Sequence, residues 1–335
     1  MKHLIISLIL IILLIISSTF AYSWWNSNTK QVSTSKEKVR FVIPKGRAAG
    51  QVAESLFKKK LIRNPLAFKF YVQLTGVANK IQAGEFNLSS DMNMYEILEN
   101  LFKGPLEIWV TIPEGLRREE VIEIFVEALE MSTAQAIIFR QDFLKESYNL
   151  EGYLFPDTYL FPRDVEAMQV VARMKSVFDN KITTEMETEI AKNNYSLNQI
   201  VIIASLLERE TITDAERPVV AGVMYKRLEN DWPLQIDASV QYAVSGEQCS
   251  VNSVQCEWWP ILTLNDLEET NSPYNIYKFT GLPPAPIANP GIASIKAAIS
   301  PEESPYWYYI HADGQIYYAK TLAEHNRNIR VYLKK

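Results

Sequence analysis

Tyr195 to Tyr225 reads Y-S-L-N-Q-I-V-I-I-A-S-L-L-E-R-E-T-I-T-D-A-E-R-P-V-V-A-G-V-M-Y. The pattern predicts two helices. The first opens at Ser196, with Gln199 three residues on, a capping-box spacing. From Ile200 to Leu207 every residue is apolar or small, and a helix apolar all round is buried. It then delivers Glu208, Arg209 and Glu210 at its end. Glu208 and Glu210 stand two residues apart, roughly 200° around a helix, so they cannot face one cleft together. Periodicity does not choose between them. An acid held in an apolar cleft has its carboxyl pKa raised, because burial disfavours the charged form. Taken alone, the segment reads better as a pair of structural helix-end charges, since structural ion pairs are commoner than catalytic acids. Thr213 and Glu216 have the spacing of a second capping box, with Pro218 in the first turn of a helix reaching about Leu228.

Before this core the chain begins with an apolar stretch, Leu4 to Tyr22, interrupted only by Ser and Thr. As a helix it spans about 28 Å, the thickness of a bilayer's hydrocarbon. Lys2 precedes it, and Tyr22, Trp24 and Trp25 follow where interfacial aromatics belong. An uncleaved anchor fits this pattern better than a signal peptide cut near Thr19 and Ala21, and either reading exports the remainder. Ser23 to Glu37 is polar and Ser/Thr-rich, a tether.

The next region alternates strands and helices. V-R-F-V-I-P-K-G at 39–46 returns as I-W-V-T-I-P-E-G at 108–115. Each copy predicts a strand, a turn and a helix. Between them, helices are expected at 50–60, 65–75 and 92–102, with a strand at 83–88 and a stop at Gly104-Pro105. Glu151 to Pro162, E-G-Y-L-F-P-D-T-Y-L-F-P, is dense in aromatics. It suits a carbohydrate groove or an aromatic plug, and alone the plug is the better reading. Helices follow at 167–178 and 184–192. After the central pair, Gln235 and Asp237 stand close together in Q-I-D, and S-P-Y-N-I-Y (272–277) and G-L-P-P-A-P-I-A-N-P-G (281–291) form a rigid proline-rich wall. A short helix is expected at 292–299, a hairpin turns on Asp313-Gly314, and a helix closes the chain at 322–333. The fold class is therefore α+β.

Several chemistries are poorly supported. A net charge of -5 with no basic stripe gives no reason to expect nucleic acid. The histidines, His3, His311 and His325, form no metal-binding spacing. Ser205 lies in an apolar helix and not in a nucleophile elbow, and no phosphate-cradling glycine loop is present. No cofactor is expected. Cys249 and Cys256 are the only cysteines; in an exported chain a disulfide and two free thiols both remain open. What remains is carboxylate acid/base chemistry in a groove lined by Tyr, Asn, Gln and Pro, which suits glycosidic bond cleavage. Ordinary glycosidases use two carboxylates, and Asp237 is the second candidate.

The apolar N-terminus, I-P-K-G, I-P-E-G, E-G-Y-L-F-P-D-T-Y, A-S-L-L-E-R-E-T, A-E-R, Q-I-D, S-P-Y-N-I-Y, G-L-P-P-A-P-I-A-N-P-G and the H-N at 325–326 occur in this order over nearly the whole chain. In this the sequence resembles the endolytic murein transglycosylases, the MltG/YceG-like family. The resemblance implies an anchor at 1–22, a tether at 23–38, a LysM-like module at 39–107 and a catalytic region at 108–335. It implies a single-pass protein of the cytoplasmic membrane whose catalytic region faces the periplasm or cell exterior. The substrate it implies is peptidoglycan, cut at the MurNAc-β-1,4-GlcNAc bond to leave 1,6-anhydro ends. It places the catalytic glutamate on Glu210, substrate contacts on Gln235, Asp237, Tyr274 and Asn275, and structural or orienting roles on Glu208 and Glu216. It further implies work beside glycan polymerases and penicillin-binding proteins. Residues 245–261, with both cysteines and Trp258-Trp259, are longer than the family's usual loop. The competing expectations are a hydrolase that uses Asp237 to activate water, and a non-catalytic cell-wall scaffold.

Overall fold

The computed structural model describes residues 2–44, 46–104, 107–192, 195–249 and 256–333. Lys45 and Pro105, both expected in turns, lie outside that set. The chain divides into two compact units, one of residues 1–110 and 160–164, the other of 111–159 and 165–335.

The first unit opens with α1 (Lys2–Asn28), a helix long and apolar enough to cross a membrane. It runs past the expected end of the apolar stretch, so residues 23–28 of the expected tether continue the helix. The reason is aromatic packing. Trp25 lies against Phe70 and Tyr71, with ring centroids 5.9 and 6.3 Å away, and its indole N–H donates to the Tyr95 hydroxyl at 2.8 Å. The order then runs β1 (Lys38–Ile43), α2 (Ala49–Lys58), α3 (Pro65–Thr75), β2 (Gly84–Ser89), α4 (Met94–Phe102) and β3 (Glu107–Thr111). β1 and β2 pair antiparallel, with Phe41 opposite Phe86. Period-two alternation sends Phe41, Ile43, Phe86 and Leu88 to one face. There they meet Leu56 of α2, Phe68 and Val72 of α3, and Ile97 and Leu101 of α4. Asn64 caps α3 ahead of Pro65, and Gly76 ends it at φ 66°, the left-handed stop that favours glycine.

Next come α5 (Arg118–Ala128), α6 (Thr133–Glu146) and β4 (Thr158–Pro162), and the four strands form one sheet in the order β1-β2-β3-β4. The second unit continues through α7 (Ala167–Lys181), α8 (Thr184–Lys192), α9 (Leu197–Glu210), α10 (Arg217–Glu229), α11 (Asp237–Gln248), α12 (Leu264–Glu269), α13 (Ile292–Ile299), β5 (Tyr308–Ala312), β6 (Gln315–Ala319) and α14 (Leu322–Asn328). β5 and β6 pair antiparallel, and Asp313 and Gly314 take φ 51° and 74° at the turn, as a two-residue hairpin loop of that hand requires. Helix α11 begins just after Gln235 and puts Asp237 at its first position.

Helix α9 is the axis of this unit. All of Ile200 to Leu207 is buried, among α8, α10, α11 and α13. Its one polar core residue, Ser205, donates to the Ile202 carbonyl at 2.7 Å and accepts from the Ile287 amide at 3.1 Å, so no polar atom is left unbonded there. The proline-rich wall is held against α9 in this way. Gly152 is constrained at the same place: its φ is 86°, and a Cβ on it would come within 2.6 Å of Pro286.

Candidate active site

The last turn of α9 projects its two carboxylates in opposite directions, as a 200° separation requires. Glu208 turns inward. Its side chain accepts from Arg217 at 3.0 Å and from the amide of Gly291 at 2.9 Å, and both charged side chains are less than a tenth exposed. Gly291 is the residue before α13, so Glu208 satisfies a free amide at that helix's start. Arg217 also donates to Ser294 at 2.8 Å and to Asp214. Glu114 of the I-P-E-G segment crowds the same point: a Cβ on Gly291 would sit 1.9 Å from its carboxyl oxygen. A side chain at 291 would displace the Glu114 carboxyl. Burial, and then the Glu208 charge, pushes the Glu114 carboxyl above its ordinary range.

Glu210 turns the other way and accepts from the Tyr309 hydroxyl of β5 at 2.9 Å. Burial pushes its pKa up to about 7. The Tyr309 bond opposes that rise, the Asp237 charge adds to it, and Arg227 and Arg209 oppose it. Tyr309 stays protonated, because burial and the Glu210 charge both raise its pKa. Arg227 approaches this group without bonding it; its guanidinium is held by the carbonyls of Trp307, at 2.9 and 2.6 Å, and Leu234, at 2.5 Å. The arrangement leaves one carboxyl poised to hold or release a proton near neutrality.

Asp237 lies in the field of Glu210 and accepts from the Tyr277 hydroxyl at 2.5 Å. Gln235 adopts φ 53°, with its amide bonded to the Ile276 carbonyl at 3.1 Å and its side chain exposed. Tyr274 and Asn275 go elsewhere. The Tyr274 ring packs on Tyr242 at 4.9 Å. Asn275 is fully buried: its amide donates to the carbonyls of Leu267 and Thr270, both at 3.0 Å, and its oxygen accepts from the Tyr277 amide at 3.3 Å. It ties the loop that carries Tyr277 and has no face left for a ligand. Glu216 binds the amides of Ile212 and Thr213, at 3.1 and 3.0 Å, inside the turn between α9 and α10. Partial burial works against its charge, but those bonds hold its carboxyl below the usual range.

Sequence reasoning missed four residues. Tyr309 and Tyr277 each donate to a proposed site carboxylate, and nothing local marks them among the chain's many tyrosines. Asn289 is fully buried and joins three segments. It accepts from the amides of Gly152 and Leu154, at 3.0 and 2.9 Å, and donates to the Leu116 carbonyl at 2.9 Å and Glu151 at 3.2 Å. Its signal was an Asn between prolines in an apolar wall. Glu151 lies among Arg117, Arg118, Glu119 and Tyr242, and burial, with the Glu119 charge, pushes its pKa up to about 8. Arg117 is sandwiched between Tyr242 and Trp258, and Arg209 covers Trp259 at 3.8 Å. The tryptophan pair is thus docked by cation-π contacts. Cys249 and Cys256 are paired in a disulfide with Cα atoms 5.9 Å apart; residues 250–255 lie outside the described set. Among the described residues no group of three His, Cys, Asp or Glu is placed to hold a metal ion.

A family model described as the YceG-like family matches residues 41–331. The chain is 31% identical over 322 residues to an endolytic murein transglycosylase of Bacillus subtilis (strain 168), covering 89% of this chain and 86% of that one. It is 29% identical over 332 residues to an endolytic murein transglycosylase of Streptococcus pneumoniae serotype 2 (strain D39), covering 89% of this chain but 59% of that longer protein. The crystal structure of a YceG-like protein of Listeria monocytogenes superposes with a TM-score of 0.59 at 32% identity, covering 88% of this chain and 99% of that one.

Proposed function

Because the chain belongs to the YceG-like family, we propose that it is an endolytic murein transglycosylase, a lyase that cuts the MurNAc-β-1,4-GlcNAc bond inside peptidoglycan strands. The observation that supports this most is Glu210: a single carboxyl, raised to about 7 by burial, at the end of a rigid helix. Protonated, it donates to the leaving glycosidic oxygen. As a carboxylate it then takes the proton from the muramoyl C6 hydroxyl while that oxygen closes on C1. One residue is acid and then base. The C1–O4 bond breaks, the C1–O6 bond forms, and no water is consumed. The products are a 1,6-anhydro end and a free C4 hydroxyl.

In this reading Tyr309 orients Glu210, Asp237 and Gln235 contact the sugar, and Tyr277 sets the Asp237 carboxylate. Tyr274 and Asn275 support the groove from behind, and Glu208 and Glu216 hold α9 and the turn beyond it. Residues 1–22 anchor the chain in the cytoplasmic membrane, with the remainder outside. Residues 23–38 connect to a LysM-like module at 39–107, a reading supported by two helices lying between two antiparallel strands. Residues 108–335 are the catalytic region. The family resemblance extends the proposal to work beside glycan polymerases and penicillin-binding proteins, limiting nascent strand length.

The test is a digest of purified glycan strands by the protein and by Glu210→Gln, read by mass spectrometry. Internal fragments with anhydromuramic ends, lost in the variant, are the expected result. Reducing ends would replace the lyase with a hydrolase that uses Asp237 and water. Equal cell-wall function in both proteins without cleavage would leave a scaffold.

A further inference from the structure

Helix α3 buries Ala67, Phe68 and Val72 in the first unit's core. Its opposite side carries apolar residues too, among Lys69 and Gln73. Leu66, Phe70 and Leu74 are 62%, 56% and 74% exposed. Spaced by four, they form one stripe along the helix. An ordinary surface helix carries polar residues there.

The stripe adjoins α1. Ala21, Tyr22, Trp24 and Trp25 of α1, with Leu66, Phe70, Lys69 and Gln73 of α3, line an open, mostly apolar groove of about 740 Å³. Trp25 fixes the two helices together through Phe70, Tyr71 and the Tyr95 hydroxyl. Tyr22 to Trp25 spans only about 4.5 Å along the helix axis. A bilayer that holds α1 up to these interfacial aromatics therefore reaches α3 as well. A second pocket, beside Ser27 and Asn28 at the end of α1, is lined by Lys58, Lys60 and Arg63 together with exposed Phe57. An apolar stripe flanked by cations is the composition of a helix lying in a membrane interface.

We propose that the outer face of α3 is a phospholipid-binding surface, lying in the interfacial layer of the same bilayer that α1 enters. Leu66, Phe70 and Leu74 enter the acyl boundary, and Lys58, Lys60 and Arg63 meet lipid phosphates. The first unit is then seated on the membrane instead of swinging from it. This rests on reading α1 as the anchor.

The experiment places nitroxide labels on the full chain in vesicles of phosphatidylethanolamine and phosphatidylglycerol. Cys249 and Cys256 stay paired. The labels go on Leu74→Cys, on Ile12→Cys within α1, and on Asn87→Cys. Asn87 is exposed on the side of β2 opposite Phe86 and Leu88, and so faces away from α3. Collisions with oxygen and with a water-soluble nickel chelate report depth. At Leu74, oxygen should be favoured, with a depth about 5–10 Å below the headgroups; Ile12 should read deeper, and Asn87 should read as water. A Leu74 label resembling Asn87 while Ile12 stays deep would overturn the proposal and leave the anchor standing. Water-like readings at both Leu74 and Ile12 would remove the anchor and the proposal with it. A Leu74 label shielded from both probes, with spin-spin broadening, would put a second copy of the chain on this face and overturn the lipid.

Discussion

The two sides of the α9 C-terminus hold the same chemical group in different company. Glu208 has an arginine and a helix-start amide; both partners are buried, and the carboxylate joins α9 to α10 and α13. Glu210 has a tyrosine hydroxyl and no bonded cation, and burial raises its pKa to about 7. Two residues of sequence separate a group that holds the fold together from one able to exchange a proton near neutral pH. Partners decide the role: Glu208 is tied to a buried arginine and an amide, whereas burial outweighs the arginines near Glu210 and leaves it ready to bind a proton near neutrality.

Glu210→Gln tests the open side with the largest effect. Cleavage should fall by about 10²–10⁴-fold, the usual worth of a positioned acid. Stability should hold or improve above pH 7, since the variant no longer carries a charge that burial disfavours. A parallel loss of folding would erase the contrast between the two glutamates.

Glu208→Gln tests the closed side. It leaves Arg217 buried beside a neutral amide, and breaking a buried pair costs about 3–5 kcal/mol. The urea midpoint should drop accordingly, and activity should fall only as far as folding does. Unchanged stability would show that Asp214 and Ser294 suffice for Arg217.

A third carboxyl extends the comparison. Glu151, raised to about 8, binds its proton more tightly folded than unfolded, where the ordinary value is 4.5. Its contribution to stability is therefore present at low pH and lost as pH rises through the window between those values, at up to about 1.4 kcal/mol per pH unit. Glu151→Gln, with denaturant midpoints measured from pH 5 to 9, should flatten that decline. A slope equal to that of the unaltered protein would show that Arg117 and Arg118 hold Glu151 charged throughout.

Tyr309→Phe gives the smallest expected change. The hydroxyl bond lowers the Glu210 pKa, so its removal should raise that pKa further. The acid form persists to higher pH, and the falling limb of the pH–rate profile should move upward from about 7, by less than about one unit for a single neutral donor. A downward move would mean that Tyr309 acts on the substrate instead of the acid.

Much of this is legible in the sequence. The capping pair Ser196 and Gln199 marked where α9 begins, and the unbroken apolar run to Leu207 marked it as buried. The helix expected at 65–75 is α3, with Pro65 at its first position, because proline acts through its own backbone. Asp313-Gly314 set the hairpin for the same reason. The helix through residues 23–28 was not legible, because its polar composition reads as a tether and the contact that orders it, Trp25 on Phe70 and Tyr71, joins distant positions. Asn275 was expected at substrate from the resemblance; its side chain is buried in bonds to its own loop, and Tyr277 donates to Asp237 instead.

Local order, burial and the presence of acids at the end of α9 came from the sequence by itself, because each depends on neighbours within a turn or two of the chain. Which acid faces the groove was decided only by tertiary structure. Arg217, Gly291 and Tyr309 reach α9 from three separate elements, and no periodicity encodes where they arrive. The 200° between Glu208 and Glu210 required that they differ; packing assigned the arginine to one and the tyrosine to the other.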